Sequence, residues 1–117
     1  MTKNKKLTLR FRAVNKDFFR TIKNGKKKVE TRAATVKYQN IKPGDLVVFV
    51  CGKEHFSRTA RSARIFKSVN AMLKIHKLTD IMPRAKSVKD LEKSYNSFPS
   101  YRKKLKKFGI IALEFKK

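Results

Sequence analysis

Apolar and polar residues alternate near the start of the chain. Leu7-Thr8-Leu9-Arg10-Phe11-Arg12 has period two, which predicts a half-buried strand with Leu7, Leu9 and Phe11 facing the core. From Val14 the period lengthens. Val14, Phe18, Phe19 and Ile22 fall at helical spacing, with Asn15 as a candidate cap and Asn24-Gly25 as a stop. Lys26 to Arg32 reads as a second strand, with Val29 and Thr31 on one face and Lys28, Glu30 and Arg32 on the other. Ala33 to Gln39 is ambiguous between a loop and a short helical turn. Pro43-Gly44-Asp45 then turns the chain into Leu46 to Cys51, a continuous apolar run of the kind a buried strand shows.

Gly52 to Phe56 reads as a turn, and Ser57 to Lys67 as a long twisted strand with a basic outer surface. A helix is the alternative there, because Arg58, Arg61, Arg64 and Lys67 recur at every third position. Val69 to Leu78 has helical spacing with Ser68 as a cap, and Met82-Pro83 ends that pattern. Ser87 and Asp90, three apart, approximate a capping box for a helix through Tyr95. Tyr101 to Phe108 forms one more helix with Leu105 and Phe108 inward, and Gly109 to Phe115 is a terminal strand. The sum is an α+β domain of mixed topology, with strands at both ends and in the middle and helices after the first and fourth. It would occupy residues 7–117 behind a basic tail at residues 1–6.

Charge changes this picture most. The chain carries 32 basic and 8 acidic residues among 117, a formal net charge of +24. Self-repulsion on that scale opposes folding, and a polyanion relieves it by displacing condensed counterions. Nucleic acid is the leading partner, with RNA and DNA not distinguished by charge, and no obligate protein partner is evident. No run approaches the roughly 18 apolar residues of a membrane span. Residues 1–6 lack the apolar stretch of a signal peptide, so the chain is expected inside the cell. The cytoplasm is the first expectation, with the nucleus open for a eukaryotic or viral source. Cys51 is the only cysteine. It and His55 lack further ligands at suitable spacing, so neither metal nor cofactor is expected.

One cluster stands out chemically. Gly25-Lys26-Lys27-Lys28-Val29-Glu30-Thr31-Arg32 places a scarce carboxylate within the most basic run, after a helix-ending glycine. In a strand, Glu30 and Arg32 share a face, and Lys27 leans over the same cleft from the strand's start. Arg32 would then hold a phosphate or base edge in fork geometry, and Lys27 would neutralise a phosphate. Glu30 would accept from a base amino group or act as a general base. The plainer reading is a solvated Glu30–Arg32 ion pair, which contributes only ~0–1 kcal/mol. Arg58, Arg61 and Arg64, among small neighbours, suit a phosphate backbone, or else protect an exposed edge strand. The basic run of Arg102 to Lys107 reads as the solvated side of a helix. Tyr38, Tyr95 and Tyr101 are candidates for base stacking, with packing as the ordinary role.

Gly25-x-Lys27-x-x-Glu30-x-Arg32 resembles the signature of ASCH domains, relatives of the PUA domains of RNA-modifying enzymes. The helix before it, the Pro43-Gly44-Asp45 turn, the Ser87 helix with Tyr95 and the terminal strand occur there in similar order. The resemblance implies a PUA-like mixed β-barrel of about five or six strands with helices covering its ends, and a basic cleft that binds RNA, ahead of DNA, or a nucleotide. Gly25, Lys27, Glu30 and Arg32 would stand at that site, with Lys28 beside them on the strand. Some members hydrolyse N4-acetylcytidine and others cleave RNA. If this chain were such a hydrolase, Lys27 and Glu30 would be its acid–base pair. In the amidohydrolase subgroup a threonine nucleophile stands where Glu30 stands here, activated by a lysine that Lys27 matches. The carboxylate departs from that pattern, and adjacent Thr31 would point to the opposite face. The resemblance therefore implies binding ahead of amide hydrolysis.

Overall fold

The computed structural model describes residues 5–98 and 100–116; the basic tail and the proline of Pro99-Ser100 lie wholly or partly outside them. Five strands form one mixed sheet. They are β1 (Lys6–Phe11), β2 (Val29–Ala33), β3 (Leu46–Cys51), β4 (Glu54–Phe66) and β5 (Ile110–Phe115), in the order β1-β3-β4-β5-β2. Only β1 and β3 run parallel, in register from Lys6 opposite Leu46 to Phe11 opposite Cys51. The other pairs are antiparallel. The sheet curls into a half-barrel with β1 and β2 as its two edges.

A single 3-10 turn (Ala13–Asn15) leads into α1 (Lys16–Lys23), between β1 and β2. Four helices fill the connection from β4 to β5: α2 (Val69–Leu73), α3 (Leu78–Ile81), α4 (Val88–Asn96) and α5 (Tyr101–Phe108). They explain why the last strand reads as an unbroken apolar run. Ile111 and Leu113 point into the barrel with Leu9, Phe19, Val47 and Phe49. Ile110 and Ala112 point outward, under the helices, with Val29, Phe66, Met72, Ile81 and Leu91. A strand covered on both faces has no polar side to show.

The inner core is aromatic. Phe49 stacks on Phe56 at 4.7 Å and meets Phe115 edge-on at 5.0 Å. Such pairs contribute about 0.5–1.5 kcal/mol each beyond area burial. This stack corrects one expectation, because Phe56 belongs to β4 and not to a turn. The loop is only Gly52-Lys53, with Gly52 at φ +61, the left-handed value that a Gly-first hairpin loop requires. The expected strand from Ser57 is present and ends at Phe66, one residue before Lys67, and the helical alternative falls.

Three further expectations shift. The proposed helix over Val69–Leu78 is two, α2 and α3. Ser68 caps α2 by accepting from the Ala71 N–H at 3.1 Å, and His76 then turns inward against Phe66. Asn15 and Ser87 stand at helix starts without capping through their side chains. Asp90 instead accepts the Lys86 N–H at 2.8 Å. The second strand begins at Val29, later than Lys26. The Lys27 N–H donates to the Thr21 carbonyl and the Lys28 N–H to the Asp80 carbonyl, so this stretch is tied to helical segments and not to β5.

Candidate nucleotide-binding site

The site follows from an unpaired edge. β2 pairs with β5 on one side only, so the backbone groups on its other side need partners. Side chains supply them. The Lys27 ammonium donates to the Val29 carbonyl at 2.9 Å, and the Glu30 Oε1 accepts the Thr31 N–H at 3.0 Å. The Tyr101 hydroxyl accepts the Ala33 N–H at 2.8 Å. No neighbouring strand can add there while these bonds hold. The gap between the two sheet edges becomes a cavity of about 200 Å³.

Its polar floor is Lys27, Glu30, Thr31 and Arg32. Glu30 lies between two cations, with Lys27 Nζ 3.6 Å from Oε1 and an Arg32 amino group 3.5 Å from Oε2. Lys27 also donates to the carbonyl of Ile81, the last residue of α3. Its three ammonium protons thus face two carbonyls and a carboxylate. Burial holds the Lys27 amine below the ordinary lysine range, against the pull of Glu30; Arg32 lowers it further. Lys27 is only 4% exposed, so it braces the floor and does not lean over it as a free phosphate ligand.

Arg32 is the more accessible of the two floor cations, its side chain 20% exposed. Its guanidinium lies over the Phe11 ring at 4.9 Å and near Tyr38 at 5.8 Å, so β2 and β1 meet through this residue. Held on both sides, the fork keeps its orientation. The strand alternation places Thr31 away from Glu30, and its hydroxyl lies 2.6 Å from the Tyr95 hydroxyl. Burial pushes the Tyr95 phenol well up and that of Tyr101 up to about 12. The Glu30 carboxylate adds to both shifts. Both phenols therefore serve as neutral hydrogen-bonding groups. Phe11, Phe18, Phe98, Tyr95 and Tyr101 form aromatic walls, with Arg10 and Arg12 beside them.

The remaining expected site residues lie elsewhere. Gly25 (φ +84), Lys28, Arg58 and Arg61 line a second, open groove of about 820 Å³. Gly25 is needed for its backbone conformation, since open space surrounds the position of a Cβ. Arg64 joins neither cavity nor groove. Paired opposite Ala112 and lying 5.2 Å from the Phe66 ring, it sits on the outer, helix-covered face of β4. Lys23 and Lys116 in the groove, and Arg10, Arg12, Phe18 and Phe98 in the cavity, are brought to these sites by the fold and carry no local sequence signal. Among the described residues no group of three or more His, Cys, Asp or Glu side chains is placed to hold a metal. Nor is any helix among them long and apolar enough to cross a membrane.

A curled mixed sheet with an aromatic-walled, polar-floored pocket in its open seam defines a PUA-like module. The chain belongs to the ASCH domain family, whose model matches residues 13–117. That family is generally associated with RNA binding. Two solved structures share the fold over nearly their whole length. The crystal structure of hypothetical protein PH0355 is 29% identical, with a TM-score of 0.79, over 97% of this chain and 98% of that one. The solution structure of protein PF0455 from Pyrococcus furiosus is 30% identical, with a TM-score of 0.71, over 97% and 96%. Among curated proteins none matches.

Proposed function

We propose that this protein binds single-stranded RNA by seating one unpaired nucleotide in the cavity between β1 and β2. One observation carries the reading: the Glu30–Arg32 pair, 3.5 Å apart, on the floor of a pocket walled by aromatic rings. Glu30 offers an acceptor for a base amino or imino group, and Arg32 offers donors for an adjacent carbonyl or phosphate. Aromatic walls suit the faces of a base splayed out of its stack, a form in which sequence-specific RNA recognition finds its target. A paired base in a duplex would not reach a recessed floor, which favours single strands.

Calorimetric titration with each ribonucleoside monophosphate tests this. One base should bind measurably above the others. Glu30→Gln should weaken that base at least tenfold, because removing one partner of a charged hydrogen bond costs roughly 1.5–3 kcal/mol. Equal binding of all four, unaffected by Glu30→Gln, would refute the reading.

Hydrolysis of RNA or of a modified nucleoside is the second reading. Its support is the buried Lys27 amine, lowered in pKa and 3.6 Å from Glu30, an acid–base pair at the cavity floor. On this reading Glu30→Gln abolishes turnover. Intact N4-acetylcytidine and mixed RNAs after prolonged incubation would eliminate it.

A further inference from the structure

The cavity and the larger groove are separated by the turn from Gly25 to Lys28, and among the described residues Lys27 alone lines both. Their chemistry differs. The cavity is small and aromatic. The groove is about four times larger and, among the described residues, contains Lys23, Lys28, Arg58, Arg61 and Lys116 against a single carboxylate, Glu114. That carboxylate is engaged by the Ser62 hydroxyl at 2.8 Å, on the side toward His76.

Two local features arrange the cations. Arg58 lies over Phe56 at 4.8 Å, and its guanidinium donates to the carbonyls of Ser57 at 2.9 Å and Lys23 at 3.2 Å. Lys23 ends α1, so Arg58 offsets the negative end of that helix, which would otherwise repel an anion. These bonds use two of its five donors and leave three. Arg61 falls where the β4–β5 register shifts between Ala60 and Ser62. A bulge there interrupts the alternation and re-aims the side chain, which explains why Arg61 shares a groove with Arg58 while Arg64 does not.

We propose that this groove is a phosphodiester track, holding the backbone of nucleotides adjoining the one seated in the cavity. The Gly25–Lys28 turn divides base reading from backbone holding. The inference builds on the cavity reading, and it assigns affinity for length to one site and base choice to the other. A mononucleotide then uses only the cavity. An oligonucleotide gains affinity and salt dependence from the groove.

The test compares a labelled eight-nucleotide single-stranded RNA, followed by anisotropy over a salt series, with ribonucleoside monophosphates followed by calorimetry. The paired reversal Lys28→Glu/Arg61→Glu should weaken octamer binding at least tenfold. It should also flatten the log K against log salt slope by about 1.4, at roughly 0.7 for each phosphate no longer neutralised. Monophosphate binding should stay within twofold. The milder Lys28→Gln/Arg61→Gln pair, with circular dichroism to verify the fold, should give the same slope change with a smaller loss of affinity. An unchanged octamer affinity overturns the proposal. So does an equal loss from Lys104→Glu/Lys107→Glu on α5, since charge would then act diffusely. If monophosphates fail to bind while the groove variants still remove octamer affinity, the cavity reading fails and the track stands.

Discussion

Replacing Lys27 with methionine keeps its length and removes its charge, and the structure sets the size of the effect. Three acceptors lose a donor together: the Val29 carbonyl on the open edge of β2, the Ile81 carbonyl ending α3, and the Glu30 carboxylate. Lys27 and Glu30 are nearly inaccessible, at 4% and 6% of their side-chain surface, so water does not replace the missing partner cheaply. Removing one partner of a buried ion pair costs about 3–5 kcal/mol, because the other charge stays buried. Arg32 remains 3.5 Å from Glu30 and holds the effect near the lower end. For a domain of this size each kcal/mol moves the melting point by about 4 °C, so Lys27→Met should melt about 12 °C below the wild type. Thermal unfolding followed by far-ultraviolet circular dichroism at neutral pH reads this directly. Lys28→Met, at an exposed neighbour, should stay within about 0.5 kcal/mol. Adding Glu30→Gln should recover part of the loss, since contacting groups couple by about 0.5–3 kcal/mol. A Lys27→Met melting point within about 4 °C of the wild type would refute the bracing role of this lysine.

The same groups set an alkaline stability profile. Lys27 is lowered on folding, so between its folded and unfolded pKa the unfolded chain holds more protons and stability rises with pH. Tyr95 and Tyr101 act oppositely. Both are raised from 10.0, Tyr101 to about 12, so the unfolded chain loses those protons first and stability falls above pH 10.0. Urea midpoints measured from pH 8 to 12 should show Lys27→Met flattening the rise and Tyr101→Phe flattening the fall; a wild-type fall unchanged by Tyr101→Phe contradicts the assignment. Gly109→Ala should destabilise by about 2 kcal/mol or more, from left-handed strain with an added clash. Its φ is +82, and a Cβ would stand 2.6 Å from the Phe66 carbonyl oxygen. A guanidinium midpoint within error of the wild type would contradict that.

Much of this architecture is legible in the sequence where one local rule dominates. Leu46–Cys51 and Tyr101–Phe108 have the expected bounds, because an apolar run after Pro-Gly-Asp and a helical stripe closed by glycine leave few alternatives. The Glu30–Arg32 pairing on one face follows from alternation alone, and the two residues do meet. What local pattern cannot carry is burial. Nothing near Lys27 reveals that Ile81, 54 residues away, supplies an acceptor, or that Glu30 is enclosed. A lysine within a basic run reads as exposed until the α3 connection folds over it. The aromatic walls come from β1, α1, α4, α5 and the Phe98 turn, elements brought together only by closure around the seam. Arg64 shows the reverse failure. Spacing by threes groups it with Arg58 and Arg61, and a single bulge separates them.

The central claim is that one unpaired base enters the seam between β1 and β2. Photocrosslinking tests it most directly, with short single-stranded RNAs carrying one photoreactive base and adducts mapped by mass spectrometry. The account predicts that adducts concentrate on Phe11, Phe18, Tyr95, Phe98 and Tyr101, which wall the cavity, and diminish in Glu30→Gln. Adducts confined to the exposed lysines of α5, and unaffected by Glu30→Gln, would contradict it.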